Sequence, residues 1–449
     1  MTEMSSLSTS PYKGTRDYYP QQKRVQNYIF SVWARTTKQF GYEEYGAPLL
    51  EPLEIYTAKS GDELAGEQTY QFVDRGERRV AIRPEMTPSI SRMVAARRQE
   101  LAYPSRLFSI ANFMRYERPQ RGREREFWQM NVDMFGADGP QADAEIIALG
   151  FETMKAFGAT TDMYSIKVNS RKVIDAMMQD YLGLDPIHAS LMIKLFDRKN
   201  KISNEDFRDQ AIEIFGVHAA KEGLAKIAQL LLANGVGNLP AEIASNEAVA
   251  ELGTLFQLLK ARGVSNAVFD ITLMRGFDYY TGTVFEFFDT HPDNNRAMFG
   301  GGRYDGLVGL FGAEPISAVG MAPGLSPTEL FLESHNLLPE FSSTTEVYVA
   351  VLGDKTLEGA LQLATRLRTE GVNTEVDFTG RKLDKQIKTA VKKQIPYVLF
   401  VGETELKEEK YNLKNTKTGD EEKLGFERLV THIKDKRRKY SVDDDELFE

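Results

Sequence analysis

The chain contains no cysteine. That removes disulfides, thiolate nucleophiles and cysteine-ligated zinc, and it is compatible with a reducing compartment. Histidine is also scarce: the five present among 449 residues are scattered with no paired spacing, which argues against a zinc site built by the protein. No run of about 18 apolar residues occurs, so no membrane-spanning helix is expected. Residues 1–11 are rich in Ser and Thr and lack a basic segment followed by an apolar one, so we expect a soluble, non-exported, cytoplasmic protein. Positive charge is in deficit overall. A net charge of −9 argues against non-specific coating of DNA, although a local basic patch can still bind nucleic acid within an acidic chain.

Apolar residues are plentiful: 42% of a 449-residue chain is more than one core usually takes, which predicts two or three domains. Residues 22–40 set Val25, Tyr28, Ile29, Val32, Trp33 and Phe40 near three-or-four spacing, an amphipathic helix ended by Gly41. The next stretch, 42–50, reads as extended and holds Pro48, which lacks an N–H and suits a sheet edge or an interface; pattern alone fits an ordinary helix-strand unit equally well. From 172 to 262 the texture is helical and amphipathic and carries little chemistry, so it reads as an insertion between residues 1–171 and 263–335, with the interrupted domain resuming near Val268. Residues 336–345, with Ser342-Ser-Thr-Thr345, read as a linker. Strand and helix then alternate over 346–435: a buried strand at 347–352, helices at 355–370 and 382–393, and strands at 372–378 and 397–401, a small, mostly parallel α/β domain. Residues 436–449 form a charged tail, and the basic Lys434 to Tyr440 followed by the acidic Asp443 to Glu446 reads as disordered.

Four segments carry chemistry. Arg115, Arg118, Arg121, Arg123 and Arg125 fall inside eleven residues, between extended stretches at 107–110 and 127–135. Arginines so dense need anions or carboxylates to hold them together, so the loop is either a phosphate site or a solvated charged hairpin helped by Glu117, Glu124 and Glu126. Glu85 and Thr87 follow the apolar stretch 79–82 and point to one side, an arrangement that can grip an ammonium group or simply end a strand before a helix. Gln129, Asn131 and Asp133 share one strand face, and burying such a row without partners costs about 1–3 kcal/mol for each group, which points to the floor of a polar pocket. Finally, Arg275-Gly-Phe-Asp-Tyr-Tyr-Thr-Gly-Thr-Val-Phe-Glu286 is followed by Gly300-Gly-Gly-Arg-Tyr-Asp-Gly306. By pattern this pair is either a hairpin with exposed aromatics and a turn at Gly282, or a site for a small, planar, hydrogen-bonding ligand.

On these segments the chain resembles the histidyl-tRNA synthetases, of class II, over nearly its whole length. The resemblance implies an α+β fold: an antiparallel sheet core flanked by helices, a helical insertion, and a C-terminal α/β anticodon-binding domain. It implies ATP with Mg2+, L-histidine and tRNA(His) as cofactors and partners, a homodimer with the Pro48 segment at its interface, and no role for DNA or membrane. Arg115 would hold the α-phosphate, with Arg275 opposite as a second cation, so that both are catalytic without acting as bases. Glu85, Thr87, Gln129, Asp133, Arg275, Tyr279, Tyr280 and Tyr304 would bind histidine, with Gly300 to Gly306 as a glycine-rich turn that lets backbone approach the ligand; Arg118, Gln120 and Arg121 would meet the tRNA acceptor end. One departure stands out. In Gly320-Met-Ala-Pro-Gly-Leu-Ser-Pro-Thr-Glu-Leu330, Pro327 occupies the place of the family's arginine for the ATP γ-phosphate, leaving Arg303, Arg123 or Mg2+ to substitute. That departure keeps open an alternative, a catalytically inactive paralogue such as the regulatory subunit of ATP phosphoribosyltransferase. The C-terminal domain sets Arg381, Lys382, Lys385, Lys388, Lys392 and Lys393 around one acid, Asp384, an expected surface for single-stranded anticodon bases.

Overall fold

A computed structural model describes residues 7–58, 66–274, 279–294 and 296–440. Two compact units result, residues 1–338 and 339–449.

The first unit begins with helix α1 (Pro20–Gln39), where proline occupies a first-turn position whose N–H has no helical partner to lose. Its apolar stripe, Ile29, Val32 and Trp33, is fully buried, and the chain leaves it through Gly41 at φ 79°. A two-residue strand β1 (Glu43–Glu44) lies at the edge of the main sheet, parallel to β5 (Ser105–Met114). Pro48 falls outside any strand, where the chain crosses to a separate small sheet of β2 (Leu50–Pro52), β3 (Gln71–Val73) and β4 (Arg79–Ile82). Helix α2 (Glu54–Thr57) lies between β2 and β3 in sequence, and α3 (Thr87–Ala96) follows β4.

Strand β6 (Glu126–Phe135) pairs with all ten residues of β5, from Met114↔Glu126 to Ser105↔Phe135, so the arginine segment is the loop of a long antiparallel hairpin. Helix α4 (Pro140–Ala156), β7 (Tyr164–Ser170) and the helices α5 (Arg171–Asp175), α6 (Pro186–Asp197), α7 (Asn204–Phe215), α8 (Ala220–Leu232), α9 (Ala241–Ala244) and α10 (Glu247–Ala261) follow. Local capping starts several of these: Asp185 accepts from the Ile187 N–H at 2.9 Å, and Ser203 from that of Asp206 at 3.0 Å. The helical stretch leaves the sheet at β7 and returns at β8 (Ala267–Phe269), which pairs parallel to it. Leu252, Leu255 and Leu259 of α10 join the same apolar core as α1 and α4, so the insertion packs into the unit it interrupts.

Strands β9 (Thr283–Asp289), β10 (Ala297–Arg303) and β11 (Ala318–Met321) complete an eight-stranded sheet of order β1-β5-β6-β11-β10-β9-β7-β8, antiparallel except at its two edges. Gly282 therefore precedes a strand rather than making a hairpin turn. The glycine-rich segment also differs from its expected form: Gly300 to Gly302 form the middle of β10, not a turn. A side chain on Gly301 would put its Cβ 2.1 Å from the Gly320 carbonyl, so the glycines let strands and ligand-facing groups approach where no side chain fits. Helix α11 (Leu325–Ser334) closes the unit.

The second unit is a five-stranded sheet of order β13-β12-β14-β15-β16: β12 (Val347–Val351), β13 (Thr374–Val376), β14 (Tyr397–Val401), β15 (Lys410–Asn415) and β16 (Glu421–Gly425). The first three are mutually parallel and the last two antiparallel. Helices α12 (Leu357–Thr369), α13 (Leu383–Lys392), α14 (Glu403–Glu408) and α15 (Phe426–Tyr440) accompany it. The basic block read as disordered is instead helical as far as Tyr440; Lys and Arg are good helix formers, and α15 buries Leu429, Val430 and Ile433 as an anchor. Among the described residues no helix is long and apolar enough to cross a membrane.

Candidate active site

Strand alternation builds the floor of the site. On β6, Met130, Val132 and Met134 point into the core, while Gln129, Asn131 and Asp133 line the opposite face. There they border a cleft of about 820 Å³, a size suited to a small-molecule ligand. Among the described residues Asp133 Oδ2 and Asn131 Nδ2 are buried without a hydrogen-bond partner, as groups awaiting a ligand would be. Asp133 Oδ1 accepts from the Tyr304 hydroxyl. Burial pushes the Asp133 carboxyl up to about 7, against the pull of that bond. Room for it depends on Gly320, whose Cβ, if present, would lie 2.2 Å from Asp133 Oδ1.

The wall beside this floor comes from the turn between β4 and α3. Arg83 anchors the turn by donating to the Asn112 carbonyl at 2.9 Å and to that of Ala47 at 2.8 Å. Glu85, only 3% exposed, is thereby turned inward and accepts from the Tyr279 hydroxyl at 2.8 Å. Tyr279 stands edge-on to both Tyr280 (5.2 Å between centroids) and Tyr304 (5.9 Å), giving a three-tyrosine wall. Burial first, and then the nearby Glu85, hold the Tyr279 hydroxyl well above its usual range, so it stays a donor. Thr87 completes this side.

Arginines form the other end. Arg115 rests on the face of Phe127 at 5.2 Å and donates its Nε to the Pro84 carbonyl at 2.8 Å. Arg123 also lines the cleft but is paired with Glu117 at 3.1 Å. Gln120 lines it as well, whereas Arg118 and Arg121 are exposed and lie outside it. Arg125 turns away and stacks on Tyr116 at 4.0 Å. Arg303 does not join the cleft either: its buried guanidinium is engaged by Asp143 at 2.6 Å and by the carbonyl of Gly139 at 2.8 Å. Such a buried pair holds β10 to α4 and has no donors left for ATP. Sequence reading missed Arg296, which lines the cleft; its only signal is its place just before the glycine-rich strand. Arg275 and Asp278 lie outside the described residues. Among the described residues no group of three acidic or histidine side chains could hold a metal ion.

The family model described as histidyl-tRNA synthetase matches residues 14–327, and that of the anticodon binding domain matches residues 346–436. A cleft of this kind on one face of an antiparallel sheet, followed by such a domain, defines a class II aminoacyl-tRNA synthetase. A curated histidine–tRNA ligase of Leptospira biflexa serovar Patoc is 40% identical over 436 residues, covering 96% of this chain and 99% of that protein. Membership follows from these matches: the chain belongs to the histidyl-tRNA synthetase family. Among solved structures, histidyl-tRNA synthetase from Nostoc sp. PCC 7120 matches with TM-score 0.80 at 23% identity, covering 96% of this chain and 100% of that one. A Bacillus halodurans protein described as an ATP phosphoribosyltransferase regulatory subunit/histidyl-tRNA synthetase matches with TM-score 0.72 at 24% identity, covering 88% of this chain and 99% of that one. The fold is thus common to both kinds of protein; the 40% identity over the full length lies with the ligases.

Proposed function

We infer that this protein is an ATP-dependent histidine–tRNA ligase. The histidine carboxylate attacks the α-phosphorus of ATP, pyrophosphate leaves, and the terminal ribose hydroxyl of tRNA(His) then attacks the carbonyl of the adenylate, releasing AMP. One observation carries the assignment of the site: the unpartnered, buried Asp133 Oδ2 and Asn131 Nδ2 stand in the same cleft as Glu85, the three tyrosines and Arg115.

In this reading Glu85 takes the α-ammonium, with Thr87 beside it, and Asp133 and Gln129 meet the polar edge of a ligand walled by Tyr279, Tyr280 and Tyr304. Arg115 holds the α-phosphate, where its fixed positive charge stabilises the developing negative charge; Arg275 is its expected counterpart. The attacking carboxylate is already ionised, so no general base is required. Arg118, Gln120 and Arg121, on the hairpin loop, would meet the tRNA acceptor end. Mg2+ would take most of its ligands from phosphate oxygens and water, which fits a cleft lined by scattered carboxylates rather than a protein-built cage. A homodimer is supported by the small β2-β4-β3 sheet, where Leu50, Phe72 and Val73 are exposed together with the adjacent Leu49.

The test is histidine-dependent exchange of labelled pyrophosphate into ATP, with other amino acids as controls. Exchange with histidine alone, lost in Glu85→Ala, is expected. Folded protein that exchanges with no amino acid would sink the ligase reading and favour the inactive paralogue.

A further inference from the structure

Pro327 replaces a cation with a residue that has neither charge nor N–H. It is tolerated because it sits in the first turn of α11, where backbone N–H groups have no helical partner anyway. The ligand phosphates that such a cation would neutralise still need one. Three guanidiniums line the cleft among the described residues: Arg115, Arg123 and Arg296. Arg123 is paired through its Nε with Glu117, and Arg115 stands at the Pro84–Phe127 end.

Arg296 stands elsewhere. Its Nη1 donates to the Arg121 carbonyl at 2.8 Å and its Nε to Asn294 Oδ1 at 3.0 Å. These two neutral acceptors fix the plane of the guanidinium, and among the described residues neither a carboxylate nor any hydrogen bond occupies Nη2. A Cβ on Gly122 would lie 2.7 Å from Arg296 Nη2 and 2.7 Å from Leu330 Cδ1, which sets the guanidinium between the hairpin loop and α11, the helix that carries Pro327. The nearby acids are otherwise engaged: Glu124 accepts from Ser326 at 2.8 Å and pairs with Arg16 at 3.4 Å, and Glu329 pairs with Arg16 at 2.5 Å. An oriented, unneutralised guanidinium on a cleft wall is built to receive phosphate oxygens.

We propose that Arg296 takes over the task of the missing arginine at position 327, binding the β,γ end of ATP. The inference rests on the ligase reading and adds a residue to it. Position favours the exchange, because Arg296 at the start of β10 meets the Arg121 carbonyl and Leu330 of α11 lies against the same Gly122 loop. A charge lost from a helix is thereby restored from a strand.

The experiment measures ATP, AMP and histidine affinities of the full-length wild type and of Arg296→Ala and Arg296→Lys, together with pyrophosphate exchange. For Arg296→Ala we expect ATP affinity to fall about 10- to 100-fold, the range for losing a charge-assisted bond to phosphate, with AMP and histidine affinities within about twofold of wild type. Arg296→Lys should recover part of the loss. Unchanged ATP-over-AMP preference in Arg296→Ala would overturn the inference, and so would equal weakening of ATP, AMP and histidine with a lowered Tm, which marks a structural role. Absence of exchange in the wild type is the separate outcome that removes the ligase reading itself.

Discussion

The carboxylates of the cleft floor and wall, Asp133 and Glu85, are buried and held by tyrosine hydroxyls, whereas the charged groups of helix α13 are many, exposed and mostly of one sign. Asp133 in the cleft is 3% exposed, and burial raises its pKa to about 7 against the pull of the Tyr304 hydroxyl. Near the start of α13 the same residue type behaves oppositely. Asp377 accepts from Thr379, from Tyr348 at 2.7 Å and from Arg381 at 2.8 Å, and these bonds outweigh its desolvation and lower it to about 2. Lys382, Lys385, Lys388 and Lys392 recur at three-or-four spacing along one exposed side of that helix. The difference teaches where energy resides. A desolvated group acts through the fixed geometry of its partners, so one substitution is felt strongly; a solvated row acts through its sum and is screened by salt.

Three sets of substitutions sharpen that contrast. The largest effect is expected from Arg115→Ala, which removes a preorganised cation from the site of charge development: kcat for histidine-dependent pyrophosphate exchange should fall about 100- to 1,000-fold, measured at saturating histidine and ATP.

Asp133→Asn comes next, with an expected rise in histidine KM of about 10- to 100-fold. Its effect on the unliganded protein runs the other way. The folded carboxyl holds its proton to about 7 while the unfolded one ionises near 3.8, so the buried acid costs stability increasingly as pH rises from about 4 to about 7. Asparagine keeps an acceptor for Tyr304 and removes that cost. The Tm gained over wild type should therefore be greatest above pH 7 and shrink as pH is lowered to 5; a pH-independent difference would contradict the burial argument.

The smallest single effects belong to α13. Lys385→Ala, Lys388→Ala and Lys392→Ala should each raise the KM for tRNA about two- to fivefold at low salt, roughly additively, and less at high salt, with pyrophosphate exchange unaltered. A strong, salt-independent loss from any one of them would break the comparison by showing a specific contact.

Local pattern was enough for many elements. Helix α1, the hairpin strands β5 and β6, and the alternating units of the C-terminal sheet all follow from apolar periodicity and from punctuation by Gly and Pro. So does the facing of Gln129, Asn131 and Asp133, because strand alternation admits only one common side. Pattern failed where a residue's role depends on a distant partner. Arg303 was expected at ATP, but Asp143, far away in sequence, claims it. Gly300 to Gly302 suggested a turn, but close strand neighbours use the same small residues to make a sheet. The block from Lys434 to Tyr440 suggested disorder, but the apolar face just before it anchors a helix.

The sequence by itself determined the family, the helical and extended segments, the arginine-bearing hairpin and the loss of a cation at Pro327, since each is written in local spacing or residue identity. Only the tertiary structure decided which charges remain available. Pairing and burial are properties of groups brought together from residues 85 to 327, and they separate Arg115 and Arg296, which face no carboxylate in the cleft among the described residues, from Arg123, paired with Glu117, and Arg303, buried against Asp143. A guanidinium's identity is encoded in one residue; its freedom to bind phosphate is set by whether a carboxylate from elsewhere reaches it first.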